Sequence, residues 1–224
     1  MKKSIFLSVV IPSYNEAHNL KKDVLKTVYD YLKNQKYSWE VLIVDDGSSD
    51  STVKLVKEFS KKHEGFKVLE EPHRGKGGTV IAGVLKSSGD IVLFTDMDQS
   101  TPIDQIENFL QKFDQGYEIV IGSRSGREGA PLIRKAMAYG FSLLRTIVLR
   151  IPYKDTQAGF KAFERGAAIT IFSKMKNLLE RKNVQGSSLS AGFDVEILYL
   201  ARKMGLKVIE IPIDWHYEPG TQKN

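Results

Sequence analysis

The sequence predicts an α/β fold: a Rossmann-like, mixed but mainly parallel sheet flanked by helices, in one domain. Three observations carry that expectation. From Phe6 to Ile121, short apolar runs alternate with amphipathic stretches of about a dozen residues, the pattern of successive βα units. Two of those runs end on acidic clusters, Asp45-Asp46 and Asp96-Met97-Asp98, and strand ends are where open α/β sheets bind ligands. No internal repeat or low-complexity linker divides the 224 residues, a length that supports one large core.

The elements are expected in this order. Phe6 to Ile11 is a strand closed by Pro12-Ser13-Tyr14-Asn15-Glu16, and Leu20, Val24, Leu25, Val28, Tyr31 and Leu32 recur at helical spacing. Trp39 to Val44 is the second strand, followed by the turn Asp45-Asp46-Gly47-Ser48-Ser49-Asp50 and a helix marked by Val53, Leu55, Val56 and Phe59. Phe66 to Leu69 is the third strand, and Arg74-Gly75-Lys76-Gly77-Gly78 leads into a helix through Leu85. Ile91 to Phe94 is a buried strand, with Thr101 and Pro102 opening a helix from Ile103 to Phe113. Glu118 to Ile121 is the next strand, and Arg124 and Arg127 fall in a glycine-rich loop after it. The second half is less regular: Pro131 to Arg150 reads as a helix, Gly159 to Phe163 as a strand, Phe193 to Met204 as a strong amphipathic helix, and Lys207 to Ile211 as the last strand. A nucleotide-binding half is expected over 1–98 and an acceptor-side half over 99–224.

Composition removes several classes. The chain has no cysteine, so disulfide frameworks and thiolate metal sites are out, in keeping with a cytoplasmic setting. No apolar run reaches the roughly 20 residues of a membrane span, and the basic start followed by a short apolar run reads as a first strand rather than a leader. A net charge of +6 suits anionic partners: nucleotide phosphates, nucleic acid or an anionic membrane. Nucleic acid is the weakest of these. The basic residues are spread rather than interleaved with aromatics, and Asp45, Asp46, Asp96 and Asp98 would repel a phosphate backbone. A dinucleotide oxidoreductase fails too, because Pro12-Ser13-Tyr14-Asn15-Glu16 stands where G-x-G-x-x-G is needed.

Candidate functional residues follow from placement. Asp96 and Asp98 offer hard oxygen ligands to a divalent cation carrying phosphates, against the blander reading of two carboxylates in a helix-capping turn. Asp45 can accept hydrogen bonds from a ribose or a base N–H, with Asp46 structural, and Glu16 is expected near these strand-end carboxylates. The loop Arg74 to Thr79 joins glycine donors, a helix N-terminus and the cation of Lys76, without the spacing of a P-loop. Arg124 and Arg127 can clamp a diphosphate. Asp155, Gln157, Asp194 and Glu196 are the remaining polar candidates, and helix capping accounts equally well for Asp194.

Taken together, Val9-Val10-Ile11-Pro12-Ser13-Tyr14-Asn15-Glu16, Val44-Asp45-Asp46-Gly47-Ser48 and Asp96-Met97-Asp98 resemble the family 2 inverting glycosyltransferases of the GT-A fold. Arg74-Gly75-Lys76-Gly77-Gly78, Gly122-Ser123-Arg124, Asp155 to Lys161 and Phe193-Asp194-Val195-Glu196 resemble the polyprenyl-phosphate hexosyltransferases, the dolichyl-phosphate glucosyl branch before its mannosyl cousin. The resemblance implies that Pro12, Tyr14, Glu16 and Asp45 hold the nucleoside. It implies that Asp96 and Lys76 contact the nucleotide-sugar and that Asp98 binds Mg²⁺ or Mn²⁺. Arg124 would meet phosphate, while Gln157, Asp194 and Arg134 lie toward the acceptor. One departure concerns the metal: the mannosyl cousins carry Gln two residues after the second Asp, where this chain has Ser100, with Gln99 one place off.

The implied reaction moves a hexose, glucose from UDP-glucose first and mannose from GDP-mannose second, to a polyprenyl phosphate at the cytoplasmic face of a membrane. A glycan hydroxyl is the alternative acceptor and would need a carboxylate base, for which Asp194 is the candidate. A phosphate oxygen is already anionic and needs none. The apolar and basic stretch Pro131 to Arg150 suits peripheral contact with an anionic membrane, and core packing suits it equally. Outside the class stands a nucleotide-binding protein with no turnover.

Overall fold

The computed structural model describes residues 4–124, 151–182 and 192–216. Seven strands form a single sheet: β1 (Leu7–Ser13), β2 (Trp39–Asp45), β3 (Phe66–Glu70), β4 (Ile91–Phe94), β5 (Ile119–Arg124), β6 (Lys161–Glu164) and β7 (Val208–Ile213). Their order is β3-β2-β1-β4-β6-β5-β7. All pairings are parallel except those of β6, which runs antiparallel to both β4 and β5. The sheet is therefore mixed and mainly parallel, as the sequence predicts.

Helices cover both faces, which is why the strands read as near-continuous apolar runs. Alternate residues serve opposite cores. Val9, Ile11, Val41 and Ile43 pack with Leu25, Val28 and Leu32 of α2 (Val24–Leu32), Val56 of α3 (Thr52–Ser60) and Phe109 of α5 (Ile106–Asp114). Val10, Leu42, Val44 and Phe94 face the other way. They meet Val80 and Val84 of α4 (Gly75–Lys86), Phe172 of α6 (Arg165–Lys182) and Ile197 of α7 (Phe193–Lys203). Gly83 lets α4 lie flat on the sheet, since a Cβ there would stand 2.4 Å from Val10 Cγ1 and 2.7 Å from Val44 Cγ2.

Several expectations shift. The helical spacing from Leu20 to Leu32 belongs to two helices, a short α1 (Ala17–Leu20) and α2, separated at Asp23 with φ of 59°. The helix expected from Ile103 begins as a 3₁₀ turn (Ile103–Gln105) after Pro102, whose extended ψ of 141° keeps it outside the helix, and becomes α-helical at Ile106. β1 and β7 run on through Pro12 and Pro212. Arg124 is the last residue of β5, not a loop residue. The stretch 131–150, with Arg134, and Arg127 lie outside the described residues. No described helix is long and apolar enough to cross a membrane.

The topology fixes where ligands can go. β1, β2 and β3 step outward in one direction, while β4 joins the other side of β1. The crevice at the carboxyl ends of β1 and β4 is the switch point of the sheet. Because β6 runs backwards, its first residue, Lys161, lies at that same edge, paired with Phe94 and Ile121.

Candidate active site

The turn after β4 sits at the switch point. Thr95 N–H donates to the Val10 carbonyl at 3.0 Å, so the turn starts anchored to β1. Asp98 Oδ1 accepts the Ser100 N–H at 3.0 Å. Gln99 adopts a left-handed backbone with φ of 50° and donates its amide to the Asp96 carbonyl at 2.8 Å. Its other amide atom, Oε1, is buried and has no hydrogen-bond donor among the described residues. A buried acceptor without a donor costs roughly 1–3 kcal/mol, and a non-glycine residue in this backbone region adds about another 1.

Asp96 is held from two sides. Lys76, in the first turn of α4, places Nζ 2.5 Å from Asp96 Oδ1. Behind the carboxylate runs the backbone of Gly159, where a Cβ would stand 2.0 Å from Asp96 Oδ2. Burial pulls the Lys76 ammonium down, but the charge and hydrogen bond of Asp96, with Asp194 and Asp98 behind it, raise it above the usual lysine value. Lys76 therefore stays cationic at the mouth of the crevice.

Glu16 completes the acidic side. Its Oε2 accepts the Asn19 amide at 2.6 Å. Burial raises its carboxyl above the usual range, the Asn19 bond opposes this, and the charges of Asp98, Asp96 and Asp50 add to it. Glu16 thus faces the β4 pair, as well as Asp50 of the β2 turn. Among the described residues, no three acidic or histidine side chains form a ready-made cation cage. Divalent cations that carry phosphates are commonly held by one or two carboxylates plus the phosphates themselves. Asp98 and the donorless Oε1 of Gln99 fit that partial kind of site.

The β2 end is more committed than its sequence suggests. Asp45 is 2% exposed, and its carboxylate accepts from Ser48 N–H at 2.8 Å, Ser48 Oγ at 2.5 Å and Ser13 Oγ at 3.3 Å. Asp46 anchors the start of α4, accepting from Arg74 N–H at 2.7 Å and Gly75 N–H at 2.9 Å. It also holds His73, whose Nδ1 lies 2.9 Å from its carboxylate and 3.1 Å from its carbonyl. Two oxygen acceptors place the ring hydrogen on Nδ1. His73 then stacks on Tyr14 with centroids 4.7 Å apart, and Tyr14 is 46% exposed. Beyond Pro12 of β1, this pair gives the β1–β2 side of the crevice an open aromatic face.

At the end of β5, Arg124 forks onto Asp155, with Nε at 2.6 Å and Nη2 at 2.9 Å from its two oxygens, and its guanidinium lies 5.6 Å from the Trp215 ring. Burial alone would raise the Asp155 carboxyl, but Arg124 outweighs it and holds it below the usual range. Gln157 donates its backbone N–H to Asp155 at 3.1 Å. Asp194 stands in the first turn of α7, and its Oδ1 is 2.6 Å from Nζ of Lys161, a fully buried lysine.

Sequence reasoning missed His73, and it singled out the segment Asp155 to Lys161 without giving Gly159 or Lys161 a role. A lysine heading the apolar run Lys161-Ala162-Phe163 was the available signal, since lysine is almost never fully buried without a partner. Nothing local marks His73 or Gly159: their roles come from segments far apart in the chain.

The glycosyl transferase family 2 model matches residues 8–172. The chain belongs to glycosyltransferase family 2. This family 2 glycosyltransferase is 35% identical over 98% of its length to the dolichyl-phosphate beta-glucosyltransferase of Dictyostelium discoideum, covering 69% of that protein. It is 34% identical to that of Homo sapiens, over 96% of this chain and 69% of the human one. Against a Trichomonas vaginalis dolichyl-phosphate beta-glucosyltransferase it is 34% identical, over 98% of this chain and 66% of the relative. The chain thus spans about two thirds of these relatives. Among solved structures, a mannosyltransferase from Pyrobaculum calidifontis in complex with GDP-Man and Mn²⁺ shares the fold, with a TM-score of 0.63 and 22% identity over 99% of this chain and 59% of that one. Glucosyl-3-phosphoglycerate synthase from Mycobacterium tuberculosis, solved with Mn²⁺, UDP and glucosyl-3-phosphoglycerate, does so with a TM-score of 0.59 and 18% identity over 96% of this chain and 73% of that one.

Proposed function

We propose that this chain transfers glucose from UDP-glucose to a dolichyl-type polyprenyl phosphate, with inversion at the anomeric carbon and with Mg²⁺ or Mn²⁺ at Asp98. The names of the curated relatives support the sugar and the acceptor. The observation that carries the reading is the Lys161–Asp194 pair at 2.6 Å. The one acceptor-side carboxylate that sequence reasoning offered as a base is already the counter-ion of a buried lysine. A hydroxyl acceptor needs a base to take its proton, whereas a phosphate oxygen arrives anionic.

In this reading Tyr14 and His73 receive the base, and Asp96 accepts hydrogen bonds from the sugar. Asp98 and Gln99 would hold the cation, which supplies charge neutralisation to the diphosphate. Lys76 and Arg124 add fixed positive charge where the leaving group becomes more negative. Arg124 does so with two of its nitrogens kept on Asp155, so the guanidinium stays in one orientation. Because the acceptor is a membrane lipid, we place the reaction at the cytoplasmic face of a membrane, where a net charge of +6 favours an anionic surface.

The test is turnover of UDP-glucose and GDP-mannose, each with Mn²⁺ and a short polyprenyl phosphate. UDP-glucose should be consumed and GDP-mannose not, chelation should stop the reaction, and Asp98→Ala should lower kcat by about 100-fold or more. Consumption of GDP-mannose alone overturns the sugar assignment, and full activity after chelation overturns the role of Asp98.

A further inference from the structure

Lys161 is a buried charged group beside the site that the proposed transfer does not use directly. It is 0% exposed and begins β6, the strand inserted backwards between β4 and β5. Its ammonium donates to Asp194 Oδ1 at 2.6 Å and to the Ala158 carbonyl, and lies 5.3 Å from the centre of the Phe94 ring. Each contact belongs to a different part of the site. Asp194 opens α7, Phe94 ends β4 just before the Asp96 turn, and Ala158 precedes Gly159. Gly159 in turn backs Asp96 so closely that no side chain fits between them.

We propose that Lys161 is a positioning residue for glycosyl transfer: its ammonium sets the Ala158–Gly159 backbone against the rear of Asp96 and keeps Asp194 turned away from the reacting oxygen. The proposal rests on the reading of the chain as a glycosyltransferase with a phosphate acceptor. Three features argue that the contact serves more than the fold. Ion pairs that bury a charge, such as this one between a fully buried lysine and a part-buried aspartate, are often replaceable by apolar residues without loss of stability, so packing does not require a charge here. The ammonium lies at the ligand-binding edge of the sheet, where the opposite edge would have served stability equally. And the Ala158 carbonyl it grips is one residue from the wall that fixes Asp96. Lys76 holds Asp96 from the front and Gly159 bounds it behind, and Lys161 determines where that rear wall stands.

The test compares wild type, Lys161→Met, Asp194→Asn and the double variant Lys161→Met/Asp194→Asn in steady-state turnover of UDP-glucose with a short polyprenyl phosphate, alongside thermal melting. Lys161→Met alone strands a carboxylate and is expected to melt lower. The double variant removes the stranded charge and is expected to recover most of that loss. Positioning predicts that the double variant, although folded, loses kcat by ten-fold or more with KM for UDP-glucose changed less than three-fold. Asp194→Asn keeps an oxygen for Lys161 and is expected to lose less. Wild-type kcat in the folded double variant overturns the proposal, as does a double variant that cannot fold, which makes the pair a requirement of the fold. Equal losses in Asp194→Asn and the double variant place the effect on Asp194 and also overturn it. An inert wild type, by contrast, rejects the assignment of substrates.

Discussion

At the scale of single residues, the site consists of side chains already committed to one another. Asp96 lies between the Lys76 ammonium and the Gly159 backbone, Arg124 is forked onto Asp155, and Asp194 is paired with Lys161. Such commitments hold charged groups ready without reorganisation during reaction. Gly159 gives the sharpest test. In Gly159→Ala the new methyl would meet the far end of the Asp96 side chain, which can swing away, so the fold should lose no more than about 1–3 kcal/mol. Asp96 would nonetheless leave its place beside Lys76. Turnover should fall at least ten-fold while the melting temperature moves by only a few degrees, measured by steady-state kinetics and calorimetry on the same sample. The acids that end strands could be read from the sequence because strand ends are where such sheets bind ligands. The partners of those acids could not: Lys76 lies 20 residues from Asp96, and Lys161 lies 33 from Asp194.

At the scale of elements, the stretch from β1 to β4 was legible because each βα unit carries its own periodicity. The later elements were harder. β6 has only four residues, and its antiparallel direction is set by its neighbours β4 and β5 rather than by anything within Lys161-Ala162-Phe163-Glu164. α6 contains Ile169-Thr170-Ile171-Phe172, β-branched and aromatic residues that weigh against a helix locally and are outweighed by packing. The break between α1 and α2 depends on a single left-handed residue, Asp23, of a type that tolerates that conformation. The edge of the sheet away from the site has its own anchor. Glu40 of β2 accepts from Ser8 Oγ at 2.7 Å, Ser88 N–H at 2.8 Å, Ser88 Oγ at 2.7 Å and Lys67 Nζ at 2.8 Å. Burial alone would raise this carboxyl, but Lys67, Ser88 and Ser8 outweigh it and hold it down at about 2. A carboxyl depressed in the folded state stabilises above its unfolded value and loses that contribution as acid protonates it. Glu40→Ala should therefore cost about 2–3 kcal/mol at neutral pH. Urea titrations should show the gap from wild type closing as pH falls from 4.5 toward 2. Binding of UDP by the folded variant should not change, since the crevice is at the other edge.

At the scale of the whole molecule, one sheet carries two groups of polar side chains to the same crevice. The β3-β2-β1 half presents Tyr14, His73 and the anchored start of α4, while β5, the loop before β6 and α7 present Arg124, Asp155 and Asp194. Asp96 and Asp98 stand at the seam between them. The pairing of β4 with β6 brings the two groups within reach of each other. With Asp194 paired to Lys161, the proposed transfer needs an acceptor oxygen that arrives already ionised. The most direct measurement supplies UDP-glucose and Mn²⁺ with either a short polyprenyl phosphate or the matching polyprenol, and follows UDP release and the anomeric configuration of the product. The account predicts β-linked glucosyl phosphate from the phosphate lipid and no product from the alcohol. Glucosylation of the polyprenol at a comparable rate would show that a base operates at this site and would contradict it.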